Sequence, residues 1–451
     1  MKIRCLGGVE TVTGSKYLVS TDSTQLLIDC GLFQGYKVLR ERNRQPLDLN
    51  IKDIDAVLIS HAHLDHSGYI PVLYNQGYRG PVYTHPATKT LCSILLADSG
   101  HLQEEDARYF RHHKIGAHSN PEPLYTRADA IKSLSLFKDA EFKSPITIGD
   151  IVVTFLPAGH ILGAASVLLS HKGKTVCFSG DVGHSSDMFM CPPEPLPNTD
   201  LLFLESTYGN RLHSNEPIDD QIESIVNNTT KSGGTILIPS FAVGRAQAIL
   251  HVISLLKKEG RIHNIPVFLD SPMAINVADI YCRFQQYHKL TPEQCHDMCS
   301  VAEHTKSTDD SKSLANIQYP HIIIAGSGMA TGGRILHHFK RLLKDHRTTV
   351  LFTGYQANGT RGQKLLSNAP FIKIHGKWIE NKANISMLNG MSGHADYRQL
   401  SEWLSRSNLA HDTRVRLVHG EGEALEFFKD HLQRTTTYDV QIAKERHVYE
   451  L

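Results

Sequence analysis

Residues 55–68, DAVLISHAHLDHSG, decide how this chain is read. The apolar, β-branched run 56–59 predicts a buried strand. It empties at Ser60 into His61, His63, Asp65 and His66, four side chains of metal-ligand type within six residues. His61 and His63 alternate, so on extended chain they point the same way, and the turn that follows can swing Asp65 and His66 around a second point. Neutral imidazoles and carboxylates suit zinc or another borderline divalent ion, and a catalytic ion keeps one position for water. With 27 histidines in 451 residues, chance clusters occur, and a solvated polar loop before a helix is the plain alternative. A strand feeding HxHxDH into a helix start favours the metal.

The same design repeats downstream. His160 follows the strand-like run IVVTFLPAGH, and Asp181 lies in SGDVG after KTVCF. Polar residues thus emerge from several strand ends along one rim, which is where layered α/β folds build their sites. Two ions sharing Asp181 would use His61, His63 and His160 on one side and Asp65 and His66 on the other. The second set is one ligand short, and His419, at the end of VRLVHGE, is suited to complete it. Two such ions activate a shared water and neutralise charge at a tetrahedral or phosphoryl transition state. His394, in SGHAD, can stay off the metals as proton donor, with Glu205 at the end of LLFLE to orient it. Asp29 closes QLLID; a lone Asp after a strand reads first as a turn or cap residue, and second as a partner orienting a metal-bound histidine.

Length predicts two or three domains. From 1 to about 208 strands alternate with helices around the ligand loop. From 209 to 374 the texture changes to a regular strand–helix alternation, the pattern of an open parallel sheet. From 375 to 451 the first pattern resumes. Residues 290–314 read as a polar, loop-rich connection, and the His-rich 111–120 as an exposed loop. The sequence IAGSGMATGGR at 324–334 lacks the spacing of a dinucleotide fingerprint, but as a loop leading into a helix it is a plausible phosphate cradle, with Ser327 and Arg334 as contacts.

Charge is balanced, 47 basic against 46 acidic residues, which excludes binding to nucleic acid by bulk charge but leaves a local groove open. The eight cysteines are scattered, without a disulfide framework; Cys295, His296 and Cys299 alone would make a poor metal site. No leader-like or membrane-spanning segment is read, so the expected address is the cytoplasm, with no membrane partner.

Taken in order, these residues resemble the metallo-β-lactamase superfamily: Asp29 as its first motif, the 61–66 cluster as its second, His160 as its third and Asp181 as its fourth. The chain continues like the β-CASP branch, the RNA-processing nucleases related to the cleavage and polyadenylation endonuclease subunit. There Glu205 matches motif A, His394 motif B and His419 motif C. The resemblance implies an α/β fold, an αββα metallo-β-lactamase sandwich with an inserted β-CASP domain, holding two zinc ions per chain, with manganese an alternative. A histidine at motif C is typical of RNA enzymes, so the expected substrate is single-stranded RNA, cut by endonuclease or 5′–3′ exonuclease action. Alternatives are a hydrolase of small esters, thioesters or β-lactams, a DNA nuclease of the same branch, or a non-catalytic scaffold. Oligomeric state is left open, a homodimer among the alternatives.

Overall fold

The computed structural model describes residues 1–113, 122–214, 216–354, 356, 359–388 and 390–451. The chain divides into two compact units, one made of 1–212 and 394–451, the other of 213–393.

The first unit holds two seven-stranded sheets. One runs from the strand Val448–Glu450 through Lys2–Gly7, Lys16–Ser20, Gln25–Ile28, Ala56–Leu58 and Val82–Thr84 to Phe137–Asp139. Its first half is an antiparallel meander, and its second half is parallel because helices intervene. The other sheet carries Ala165–His171, Lys174–Phe178, Leu201–Glu205 and Arg414–Val418 among its strands. Inward-facing residues of both sheets share one core, including Ile3, Val19, Leu26, Ile28, Leu58, Val167, Phe178 and Phe203. Phe203 is the aromatic centre, stacked on Phe178 at 4.9 Å and edge-on to Tyr449 at 5.5 Å. The far face of the second sheet packs Leu202, Leu204 and Leu417 against Leu400, Trp403 and Phe428. These last three lie on the helices Tyr397–Arg406 and Gly422–Thr435, whose apolar residues recur at helical spacing. The layering is therefore helix, sheet, sheet and helix on an α/β frame.

The second unit is a six-stranded parallel sheet in the order Glu303–His304, Val267–Asp270, Ile322–Ala325, Ile236–Pro239, Thr349–Phe352, Asn384–Met387. Strands such as Ile322–Ala325 are buried throughout, as expected of strands covered on both faces. Two expectations shift here. Asn384–Met387 pairs with Thr349–Phe352, so the return to the first unit falls at 394 and not at 375. The 290–314 region is also more ordered than its polarity implies. Thr291 and Gln294 form a reciprocal cap that starts the helix Pro292–Ser300, and Ser307 and Asp310 do the same for Thr308–Ser313. Of the 111–120 stretch, Arg111, His112 and His113 end the long helix Pro86–His113, and 114–120 lie outside the described residues.

Candidate metal centre

The ligand loop begins where the strand Ala56–Leu58 ends. Asp29, at the end of the neighbouring strand, reaches across with both oxygens: Oδ1 accepts from the Ser60 amide at 2.8 Å and Oδ2 from the Ser60 hydroxyl at 2.9 Å. Oδ2 also stands 2.7 Å from His66 Nδ1. Asp29 is more than a turn residue. It holds the start of the loop and fixes the ring of His66 with Nε2 turned the other way. Its φ of 55° lies in the left-handed region that non-glycine residues enter at a cost of about 1–3 kcal/mol, as does His419 at 49°. Both strained positions belong to the same site.

Four atoms converge on a first point. His63 Nδ1 lies 3.1 Å from His61 Nε2 and 3.2 Å from His160 Nε2. Asp181 Oδ2 lies 3.3 Å from His61 Nε2 and 3.4 Å from His160 Nε2. Ligand atoms about 2.0–2.1 Å from a tetrahedral ion stand roughly 3.3 Å from one another, and these four separations match that spacing. A second set faces it. His66 Nε2 lies 3.2 Å from both His419 Nε2 and Asp181 Oδ1, and His419 Nε2 is 3.4 Å from Asp65 Oδ2. Asp181 thus offers one oxygen to each set. Its Oδ1 is buried and receives no hydrogen bond, a costly arrangement for a carboxylate unless a cation sits beside it.

Protonation follows from these surroundings. Burial lowers the pKa of His61 and His160, and pushes that of His63 down to about 3, which leaves the rings neutral as ligation requires. Burial works against the charge on Asp65 and Asp181 too, but the histidines around them win and both carboxyls are held below their ordinary range. His66 goes the other way. Burial opposes its charge, yet Asp181 and Asp29 on either side raise its pKa well above the usual value. A position where two carboxylates draw a proton onto an imidazole is one whose field favours a cation.

A third group lies alongside. His394 Nδ1 is 3.1 Å from Glu205 Oε1 and 3.9 Å from Asp181 Oδ2. Glu205 is wholly buried; its Oε1 accepts from the Val182 amide at 2.7 Å and its Oε2 from the Thr207 amide at 3.2 Å. Burial disfavours the charged form of His394, but Glu205 and Asp181 outweigh it and raise its pKa to about 9. In the metal-free protein these neighbours favour the protonated form of His394.

The structure brings His61, His63, Asp65, His66, His160, Asp181, Glu205, His394 and His419 together with Asp29 behind them, all in the first unit. Ser327 and Arg334 belong to the second unit. Ser327 Oγ is occupied by the Thr331 and Gly332 amides of its own loop, at 3.0 and 3.2 Å. Arg334 is drawn onto buried Asp270 at 2.7 Å and onto the carbonyls of Thr305 and Lys306. Both side chains are thus engaged within the second unit. Cys295, His296 and Cys299 are likewise absent from the ligand groups among the described residues. Sequence reasoning missed Ser60, Thr207 and Tyr208. Thr207 Oγ1 donates to the His419 carbonyl at 3.1 Å and lies 3.0 Å from its Nδ1, leaving Nε2 for ligation, and Tyr208 stacks on His394 at 6.1 Å. The available signal was their place directly after Glu205, in LESTYG.

A sandwich whose rim carries two adjoining ligand sets bridged by one carboxylate defines a metal-dependent hydrolase. Family models place this in detail: a metallo-beta-lactamase superfamily domain matches residues 18–195, a Beta-Casp domain 246–365, and a Zn-dependent metallo-hydrolase RNA specificity domain 378–443. The chain is 36% identical over 437 residues to a protein named Ribonuclease TTHA0252 of Thermus thermophilus, covering 94% of each. It is 31% identical to the transcription termination factor FttA of Methanosarcina mazei, over 94% of this chain and 67% of that one. It is 30% identical to the FttA of Methanocaldococcus jannaschii, over 96% and 69%. Among solved structures, a protein of unknown function from Enterococcus faecalis V583 shares the fold, with a TM-score of 0.57 at 14% identity over 100% of this chain and 99% of that one. The chain belongs to the metallo-β-lactamase superfamily, in its β-CASP branch.

Proposed function

We propose that this protein is a zinc-dependent ribonuclease that hydrolyses phosphodiester bonds of single-stranded RNA. The observation that carries the reading is the pair of ligand sets sharing Asp181, with His394 held on Glu205 beside them. His61, His63, His160 and Asp181 would hold one ion; Asp65, His66, His419 and the other oxygen of Asp181 would hold the second. When bound, two such ions supply an activated water and neutralise charge on the phosphoryl group. Zinc is favoured over manganese by the preponderance of imidazole.

The chain's own residues do the rest. Asp29 and Thr207 fix the tautomers of His66 and His419, so that Nε2 of each is presented as a lone pair. Glu205 keeps a proton on His394 and sets the angle of its ring. His394 then delivers that proton to the oxygen that leaves phosphorus, which is general acid catalysis worth roughly 10²–10⁴-fold. RNA as substrate is supported by the name of the Thermus relative and by the RNA specificity domain matched at 378–443. No helix among the described residues is long and apolar enough to cross a membrane, and all eight cysteines are free thiols, which supports a cytoplasmic address.

The test is cleavage of a 5′-end-labelled single-stranded RNA and the matching DNA by wild type and His394→Ala, with zinc content read on both. RNA cut by the wild type alone, with two zinc ions in each protein, supports the reading. Intact RNA with both proteins fully loaded sinks it, and turnover of a chromogenic β-lactam would then favour a small-ester hydrolase.

A further inference from the structure

Away from the metal centre, the second unit places two thiols in contact. Cys282 is the penultimate residue of the helix Pro272–Arg283, and Cys299 the penultimate residue of Pro292–Ser300. Their Sγ atoms are 3.1 Å apart although 17 positions separate them in the chain. Both are half-buried, so a small solute reaches them; Cys191 is half-buried too, and the other five are buried. Cys5, Cys30, Cys92 and Cys177 are buried, and burial pushes the thiols of Cys5, Cys30 and Cys92 up to about 12. Cys295 sits one turn before Cys299 on the same helix; it is itself buried, and its carbonyl receives the Cys282 thiol at 3.6 Å.

We propose that Cys282 and Cys299 are a redox-active dithiol that closes reversibly to a disulfide when the protein meets a peroxide. Three features carry this. Sulfur to sulfur, the pair needs about 1 Å of approach to reach the ~2.05 Å bond, a shift that side-chain rotation within one packed pair of helices supplies. The two thiols share one hydrogen bond, which favours a single thiolate on the pair: Cys282 is held down at about 7 and Cys299 is pushed up, the pattern of an attacking sulfur beside a resolving one. Among the described residues the other thiol drawn to Cys282 is that of Cys295, which is buried and pushed up to about 12 chiefly by burial, so Cys299 is the partner that a small solute reaches.

The chemistry balances with hydrogen peroxide as oxidant. The Cys282 thiolate attacks one peroxide oxygen; an S–O bond forms, the O–O bond breaks, and hydroxide leaves to take up a proton as water. Cys299 then attacks the sulfenic sulfur of Cys282; the S–S bond forms, the S–O bond breaks, and a second water leaves with the Cys299 proton. Two thiols give up two electrons and two protons in all, and one peroxide becomes two waters. A dithiol reductant reverses the step by exchange. The product ties the end of one helix to the end of the next and closes the intervening segment into a loop.

The test treats the full-length, zinc-loaded protein with equimolar hydrogen peroxide, then alkylates and counts thiols after denaturation. The expected result is a fall of two thiols from eight, regained with dithiothreitol. Trypsin cleaves after Arg283 and Lys289, so the two sulfurs fall on different peptides, and a linked pair sequenced by fragmentation should join Cys282 to Cys299. In Cys299→Ser the sulfenic acid of Cys282 should persist and be trapped by dimedone; Cys191→Ser should leave the linkage unchanged. Eight thiols surviving in the wild type would overturn the proposal. So would a link to Cys295, or a wild-type Cys282 that runs on to sulfinic acid as readily as in Cys299→Ser.

Discussion

Asp29 and His66 meet at 2.7 Å, carboxylate Oδ2 to imidazole Nδ1, across 37 positions of sequence. The contact ties the end of the strand Gln25–Ile28 to the short helix Leu64–Ser67, which follows the parallel neighbour Ala56–Leu58, and so converts strand pairing into ring orientation. A carboxylate behind a metal-facing histidine usually contributes 10–100-fold in metal affinity. Asp29→Ala should therefore weaken the ion held by His66 and His419 by about that factor while leaving the other set near wild type. Zinc titration against a chelator would show one site displaced and one retained. Equal loss at both sites would mean that Asp29 serves the loop through Ser60 more than the ring.

Metal removal should be felt as stability as well as activity. Ligand sets this buried, with Asp181 Oδ1 left without a hydrogen bond, gain only when a cation is present. Binding to the folded state alone adds RT ln(1 + [L]/Kd), about 2.7 kcal/mol at a hundredfold excess over Kd. The chelated protein should melt several degrees lower, and zinc should restore the original temperature. An unchanged melting temperature would mean that the ligands gain nothing by ligation.

The His394–Glu205 pair predicts a pH signature in the metal-free protein. The pKa of His394 is raised in the folded state, from 6.5 to about 9, with Glu205 the strongest favourable influence against the cost of burial. A raised pKa contributes stability that is fully present below about pH 6.5 and is lost as pH climbs through 9. At 1.36 kcal/mol per unit the share is on the order of 3 kcal/mol. Glu205→Gln should thus differ from wild type most at pH 6 and least at pH 10 in urea unfolding, with the NMR titration of His394 moving down. A constant difference at both pH values would assign Glu205 to packing alone.

Arg334→Ala should lower stability without weakening RNA binding. It removes one partner of buried Asp270, which keeps His338 at 2.7 Å and Ser311 at 2.6 Å, so the loss should be roughly 2–3 kcal/mol. A raised KM for RNA with an unaltered melting curve would restore the phosphate role.

Phe203→Ala tests the sandwich itself. The ring is fully buried between Phe178, Tyr17 and Tyr449, and its loss should cost about 3–5 kcal/mol with collapse of the thermal transition of the first unit. A loss under about 1 kcal/mol would show that the core can close the cavity.

Ligands that sit at strand ends were legible because sequence periodicity marks the end of a strand and the residue type marks its chemistry. His61, His160, Asp181 and His419 all fall in that class. Asp29 was harder, since an acid after a strand looks the same whether it caps a turn or supports a ring; only the parallel pairing with 56–58 distinguishes them. Ser327 and Arg334 pose a related difficulty. A glycine-rich loop before a helix offers amides to a phosphate or to its own serine with the same letters, and an arginine gives no sign of the aspartate 64 positions away that claims it. The helix Pro292–Ser300 was hidden by polarity, although the T-P-E-Q start that caps it was on view. Thr207 was invisible because its value lies in a contact with a residue 212 positions later.

The two histidines that complete the centre lie beyond the inserted unit, and this orders events on the ribosome. When the chain has been made as far as Gly393, His61, His63, His160 and Asp181 are all present, yet neither His394 nor His419 exists. At 5–20 residues per second, the interval between completing residue 212 and adding His419 is roughly 10–40 s. Until residue 394 is added the nascent chain lacks His394, and until 419 is added the set of Asp65, His66 and Asp181 lacks its last member. The insertion therefore separates the two parts of the centre in the order of synthesis.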